Sequence, residues 1–314
     1  MLRDDLLQVG QVLAVLVLSP LLQGIVKQFD ERVARNQGPG IFQPYRDLWK
    51  LFHKQTVVPE TASWVFFAAP VTAFVCMMIV PMLIPVLTNY PLPLSDMGDL
   101  LGGGFVLTLG SFMILMAGLD SSSALGGVGS SRTVMVAILA EPTLILVFAG
   151  ITLLAHSMIP FVVNHLLVES WAAYFSPQHL FVTAAFFVLL LTETDKLPIH
   201  SATHIEVYMI EEARILEYTG PLLALLRWGG MMKQFIFYTI FCDVLLIPWG
   251  LSVRGTALGA VAAAVALMLK FTLVACAVVF VDTTQARLRL YRYNEPLAAS
   301  FVLAVLSIIS SQVA

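Results

Sequence analysis

Apolar runs long enough to cross about 30 Å of hydrocarbon as helices, roughly 20 residues each, recur along this chain and decide its class. They cover Leu6–Val26, Trp64–Thr88, Gly103–Leu119, Thr133–Ala155, His179–Leu191, Trp228–Pro248, Thr256–Val281 and Leu297–Ser311, the fifth being short. Helices of a soluble core would carry an apolar stripe, whereas these runs are apolar nearly all round. Only 12% of the residues are charged, and the mean hydropathy is +0.87. Backbone polar groups in lipid must be satisfied within the segment itself, which favours helices here. The sequence therefore predicts an all-α polytopic membrane protein with about eight transmembrane helices, forming one membrane domain over residues 1–314 without a soluble appendage.

Net charge is −3, but the placement of charge carries more information. Lys27, Arg32, Arg35, Arg46, Lys50 and Lys54 lie between the first two runs, and Arg132 follows the third. Lys196, Arg214, Arg227 and Lys233 surround the junction of the fifth and sixth, and Arg287, Arg289 and Arg292 follow the seventh. The opposite side has only Arg3 and Arg254. The positive-inside rule then places the odd-numbered loops in the cytoplasm and both termini outside the inner membrane. Asp4 and Asp5 ahead of the first run do not suit a cleavable signal, so that run is expected to be retained.

Several chemistries are not supported. Cys76, Cys242 and Cys276 are isolated in apolar runs, and without a CxxC pair the chain is expected to hold no iron–sulfur cluster or other metal of its own. Gly126-Gly127-Val128-Gly129 lacks the lysine of a phosphate-binding loop. No internal repeat of the inverted-transporter kind is visible. The expected surroundings are the lipid bilayer and partner proteins, not nucleic acid.

Between the first two runs lies a basic, turn-broken loop. Gly38-Pro39-Gly40 ends any helix running on from the first run, because Gly tolerates positive φ and Pro has no N–H. From about Gln43, Tyr45, Leu48, Trp49 and Phe52 recur with helical spacing on one face, and Arg46, Lys50 and Lys54 form a second row. This predicts a cytoplasmic amphipathic helix, either lying at the lipid headgroups or also receiving a partner. The candidate docking residues are Arg35, Gly38, Pro39, Gly40, Tyr45, Arg46, Asp47 and Lys50, with Arg132 and Arg287 from later loops.

An ionisable group at the bilayer centre costs about 2.5–3.5 kcal/mol on insertion scales, so each one is a candidate functional group. Glu141 stands in the fourth run before Pro142, where a kinked helix can gather polar groups and water. Lys270 is near the middle of the seventh run, Asp243 is in the outer part of the sixth, and Glu193 and Asp195 close the fifth at the cytoplasmic edge. Glu141 and Lys270 are read either as neutralising each other or neighbouring helices, or as ion-handling groups. Glu141 is expected to change protonation during turnover.

The segment Leu197–Pro221 is a second signature. Pro198 stops a helix, and one restarting after Ser201 would bring Glu206 and Glu217 to one face, since they are separated by three turns. Arg214 is within ion-pair spacing of Glu211 and Glu217, and Glu212 adds a further acid. His200 and His204 near Glu206 lack a third ligand of clear geometry, so no metal site is assigned. The acidic row is read as a proton path toward Glu193 and Glu141, as a docking strip, or as a solvated surface.

Arg35-Asn36-Gln37-Gly38-Pro39-Gly40 with Gln43-Pro44-Tyr45-Arg46-Asp47-Leu48-Trp49-Lys50-Leu51 closely resembles the first cytoplasmic loop of the formate hydrogenlyase subunit 4 family. These are membrane subunits of group 4 nickel–iron hydrogenases and hydrogenase-4-type complexes, similar to the complex I core membrane subunit that abuts the peripheral arm. Gly118-Leu119-Asp120, Gly129-Ser130-Ser131-Arg132, Glu141-Pro142, Lys196-Leu197-Pro198 and Ala286-Arg287-Leu288-Arg289 extend the match over nearly the whole chain. Many relatives follow Leu-Pro with Phe-Asp and a Glu-Ala-Glu run. Here Ile199-His200 and Thr203-His204-Ile205-Glu206 resemble another, hydrogenase-4-like branch, with Glu206, Glu211, Glu212 and Glu217 supplying the acids.

The resemblance implies a membrane-anchor and coupling subunit without a redox centre. Hydrogenase-like large and small subunits holding nickel–iron and iron–sulfur centres would dock on the cytoplasmic loops, and antiporter-like membrane subunits would carry protons or sodium. The alternatives are a quinone-reducing complex whose loops roof a quinone pocket, a stand-alone transporter using Glu141 and Lys270 as its ion pair, and a purely structural anchor.

Overall fold

A computed structural model describes residues 2–33, 38–88, 99–194, 211–252, 257–284 and 294–313. Helix α1 is Leu2–Val33, and α2, Gln43–Phe52, begins where the apolar spacing places it. Pro44 suits its first turn, where an N–H would have no helical partner. Helix α3, Trp64–Ile79, starts on Ser63, whose Oγ accepts from Val65 N at 3.2 Å. It tightens at Pro81 into a 3₁₀ turn over Val80–Met82. There the Gln11 amide of α1 donates to the carbonyls of Pro81 and Ile84 at 2.5 and 2.9 Å.

Helix α4, Leu100–Asp120, is capped by Asp99, which accepts from Gly102 N at 2.6 Å. Helix α5, Ala124–Ala155, is capped by Ser123 and continues through Pro142. The stretch between the third and fourth apolar runs is thus mostly helical, leaving only a turn at 121–123. Gly126, Gly129 and Ser130 turn out to be buried positions of a packed helix, where small side chains permit close approach.

On the opposite side, the stretch between the fourth and fifth apolar runs contains two short helices, α6 (Pro160–Glu169) and α7 (Trp171–Tyr174). Helix α8 is Pro177–Glu193 and α9 is Glu211–Ile215. Helix α10, Gly220–Thr239, passes directly into a π-helical turn over Ile240–Leu246. Helices α11 (Ala257–Thr284) and α12 (Asn294–Val313) complete the order.

Among the described residues, α1, α3, α4, α5, α10, α11 and α12 are long and apolar enough to span a bilayer, and the shorter α8 matches the fifth apolar run. Helix α10 is the central one: 83% of its spanning window is buried, against 22–44% for the other six. It packs on α1, α2 and α3, while α12 lies against α8 and α5. Phe148 of α5, Phe186 of α8, Phe237 near the end of α10 and Phe241 on the π turn form one aromatic pile, with ring centroids 5.9–6.4 Å apart along it. Lipid offers helices little hydrophobic reason to associate, so polar contacts help fix the register. Ser300 donates to Ala185 O at 2.7 Å, Ser307 to Gln178 O at 3.2 Å, and the Gln178 amide to Gly150 O at 3.0 Å.

Candidate functional site

Glu141 lines a small, partly open cavity between α4, α5, α8, α9 and α10, together with Thr192, Glu193, Arg214 and Lys233. Its volume of about 60 Å³ accommodates a few water molecules. Lys233 Nζ lies 2.7 Å from Glu193 Oε2, and both side chains are largely removed from solvent. The cavity therefore brings together two carboxylates from α5 and α8 and two cations from α9 and α10. Glu193 is at the end of its helix as the sequence predicts. Lys233, read only as a topology marker, is its ion partner.

A second cavity, of about 230 Å³, opens among α1, α2, α3 and α10. Lys27, Asp47, Leu48, Arg227 and Gln234 contribute to its walls. Ser111, Glu193, Arg214 and Lys233 line both cavities, so the two are neighbours separated by a mostly charged wall. A chain of polar groups thus runs from the underside of α2 to Glu141.

The reading that Lys270 neutralises Glu141 is corrected. Lys270 Nζ sits 2.5 Å from Asp243 Oδ1, with the lysine 8% exposed and the aspartate fully buried. Asp243 lies on the π turn, which packs against α11, and the helix ends at Leu246, so the carbonyls there are satisfied by other side chains. Asn164 of α6 donates to the carbonyls of Asp243 and Pro248 at 2.5 and 3.0 Å. Tyr174 donates to Leu246 O at 2.7 Å, and the His179 ring lies 3.1 Å from Leu245 O. Asn164, Tyr174 and His179 were not singled out from the sequence. The one local signal was Pro248-Trp249-Gly250, which ends the helix but does not reveal the π turn before it.

The first-loop candidates divide. Arg46 and Lys50 are exposed, as a docking row requires. Tyr45 donates its hydroxyl to Val17 O of α1, and burial holds that phenol above its ordinary pKa. Asp47 accepts from Gln43 Nε2 at 2.8 Å and faces the larger cavity. The apolar face also divides: Leu48 is buried against α10, whereas Trp49 is 70% exposed. Lys54 does not continue the basic row, because α2 ends at Phe52 and His53 turns back with its ring nitrogen 2.8 Å from Trp49 O. Gly38, Pro39 and Gly40 form the non-helical approach to α2, and Arg132 is half-buried on α5. Arg35 and Arg287 lie outside the described residues.

The acidic segment is also corrected at one position. Glu217 is not helical: α9 stops at Ile215, Tyr218 N bonds to Ile215 O at 3.0 Å, and the chain turns sharply into α10. The three-turn argument that pairs Glu217 with Glu206 does not apply across that break. Gly220 makes the turn possible with φ +58°, where a Cβ would stand 2.8 Å from Gln55 O. Tyr218 stacks on Phe66 at 4.1 Å and donates to Phe66 O at 3.1 Å; its burial and then the Asp120 carboxylate raise its pKa. Thr219 accepts from Val57 N at 2.7 Å and Asp120 from Ser63 N at 2.9 Å, tying three loops together on the α2 side. Glu211 and Glu212 open α9, with their side chains outside the described part. Asp195 and Glu206, with His200 and His204, lie outside the described residues altogether.

Residues 7–311 match the family model described as NADH dehydrogenase. The chain is 30% identical to hydrogenase-4 component C of Escherichia coli (strain K12), over 95% of this chain and 93% of that one. It is also 30% identical to formate hydrogenlyase subunit 4 of the same organism, over 96% of each chain. Its fold is similar to that of a chain in the structure of the membrane-bound sulfane sulfur reductase, an archaeal respiratory membrane complex. The TM-score is 0.76 at 19% identity, with 98% of both chains covered. The resemblance carried by the first loop and the Glu-Pro and Lys-Leu-Pro motifs is borne out: the chain belongs to the NADH dehydrogenase family of membrane proteins, alongside hydrogenase-4 component C and formate hydrogenlyase subunit 4.

Proposed function

We propose that this chain is the membrane-anchor and energy-coupling subunit of a hydrogenase-like or complex I-like oxidoreductase complex. Family membership supports a membrane subunit of such an assembly. The observation that carries the coupling role is Glu141, facing a water-sized cavity shared with the Glu193–Lys233 pair and adjoining a cavity beneath α2. Peripheral large and small subunits, carrying any nickel–iron and iron–sulfur centres, dock on the α2 side, and antiporter-like subunits pack beside the bundle. Charge placement supports an α2 side that faces the cytoplasm with both termini outside, and a complex of this kind would lie in the inner membrane. This chain contributes charge relay, with protons or sodium as the moving ion, and no redox centre.

Two rival readings lose support. A stand-alone transporter binding its ion between Glu141 and Lys270 has no such pair, because Lys270 is bound to Asp243. Among the described residues, the cavity beneath α2 is lined by Lys27, Asp47 and Arg227, charged groups that suit water and ions better than a quinone ring.

Glu141→Gln in the purified complex tests the proposal, since it keeps shape and removes the exchangeable proton. Assembly and electron transfer with a soluble acceptor should persist, while ion movement into proteoliposomes falls about a hundredfold or more, as for loss of a proton-transfer group. Parent-level ion movement by the assembled variant would overturn the coupling role.

A further inference from the structure

The wall between the two cavities has an unusual origin. Glu193 and Lys233 come from α8 and α10, but Arg214 is delivered by α9, a five-residue helix outside the spanning set. Helix α9 is held by direct seating on two glycines. A Cβ on Gly129 of α5 would stand 2.7 Å from Ala213 Cβ and 3.1 Å from Arg214 N. One on Gly118 of α4 would stand 3.3 Å from Arg214 Cβ and 3.4 Å from its Cα. That depth brings Arg214 to 5% exposure, beside the carboxylates and the lysine of the inner cavity. Buried charge is costly unless its surroundings compensate it, so the side chain has a reason to stay only while α9 is seated.

We propose that Arg214 is a positioning residue that closes the wall between the α2-side cavity and the Glu141 cavity, with Gly118 and Gly129 as its seat. Displacing α9 removes one positive charge from the inner cavity and joins it to the outer one. Because α9 belongs to the acidic segment on the proposed docking face, partner movement there reaches Glu141 through Arg214. This role rests on the coupling reading of Glu141, but its test measures access and does not depend on ion movement.

The probe is a cysteine at Thr108, which lines the inner cavity and not the outer one, in a background with Cys76, Cys242 and Cys276 replaced by alanine. Membrane vesicles holding the assembled complex are treated from the α2 side with a small, impermeant, cationic methanethiosulfonate, and labelling is followed by mass spectrometry. The open form of a two-state element is typically populated at about 10% or less, so Arg214→Gln should speed labelling about tenfold or more. Gly129→Ala, which keeps the arginine and disturbs only its seat, should do the same, and it serves alone if Arg214→Gln does not assemble. A purely structural role would lower the yield of complex without changing the labelling rate of what assembles. Labelling of either assembled variant at the parent rate overturns the proposal. Faster labelling combined with parent-level ion movement in Glu141→Gln would leave the wall standing and remove the coupling role instead.

Discussion

Removing one member of a buried ion pair leaves the other charge uncompensated, at a cost of about 3–5 kcal/mol, whereas removing both can be nearly neutral. Lys270 and Asp243 meet that condition, since they are 2.5 Å apart and both buried. Lys270→Met and Asp243→Asn should each lower the midpoint of thermal unfolding in detergent markedly. The double variant should recover most of the loss, because the pair's mutual attraction vanishes with its desolvation. Additive single effects in that cycle would show that the two residues act independently and would remove the pair from the stabilising framework. The sequence marks both residues as expensive but does not choose their partners, because pairing depends on which face of the π turn packs against α11. Glu193 is legible at its helix end, whereas Lys233 is not legible as its partner, because a lysine near an interface reads as topology.

At the scale of elements, legibility followed periodicity. Helix α2 begins at Gln43 because Pro44 and the apolar spacing agree, and the spanning helices overlap the apolar runs that predict them. Periodicity failed where chemistry other than amphipathicity sets the backbone. The start of α5 looks like a glycine-rich loop, and only packing against α4 and α9 shows why glycine suits a helix there. The end of α9 is set by the left-handed turn at Gly220 and the Tyr218–Phe66 stack, which no local pattern announces. Gly220→Ala should therefore destabilise the chain by about 1 kcal/mol or more from strain alone, with the Gln55 carbonyl adding to it. An unchanged unfolding midpoint would mean that the turn relaxes freely.

Helix α2 carries its own prediction. Arg46 and Lys50 are exposed, while Leu48 is buried against α10 and Tyr45 is bonded to α1, so the helix is fixed from below and free above. Reversing both charges with Arg46→Glu and Lys50→Glu should release the peripheral subunits and leave the chain in the membrane. Retention of the full complex, with unchanged stoichiometry after solubilisation, would return α2 to a headgroup role.

For the whole molecule, α10 joins the two charged sites. Lys233 is on it and Asp243 is on the π turn that continues it, roughly 15 Å further along at about 1.5 Å per residue. Lys233 faces the cavities near α2, and Asp243 lies toward the end served by α6 and α7. The molecule therefore has a charged, cavity-bearing half beneath α2 and a tightly bonded half at the other end, and the coupling proposal requires the charged half to face the cytoplasm. Sidedness is the decisive test. Glu217 precedes α10 on the α2 side, and Glu169 closes α6 on the other, its side chain 66% exposed. In the cysteine-free background, Glu217→Cys should react with an impermeant thiol reagent only from the cytoplasmic face when the peripheral partners are stripped. Glu169→Cys should react only from the outer face. The reverse pattern would invert the molecule, placing the basic loops against the positive-inside rule and the charged approach to Glu141 on the wrong side of the membrane for any partner docked in the cytoplasm.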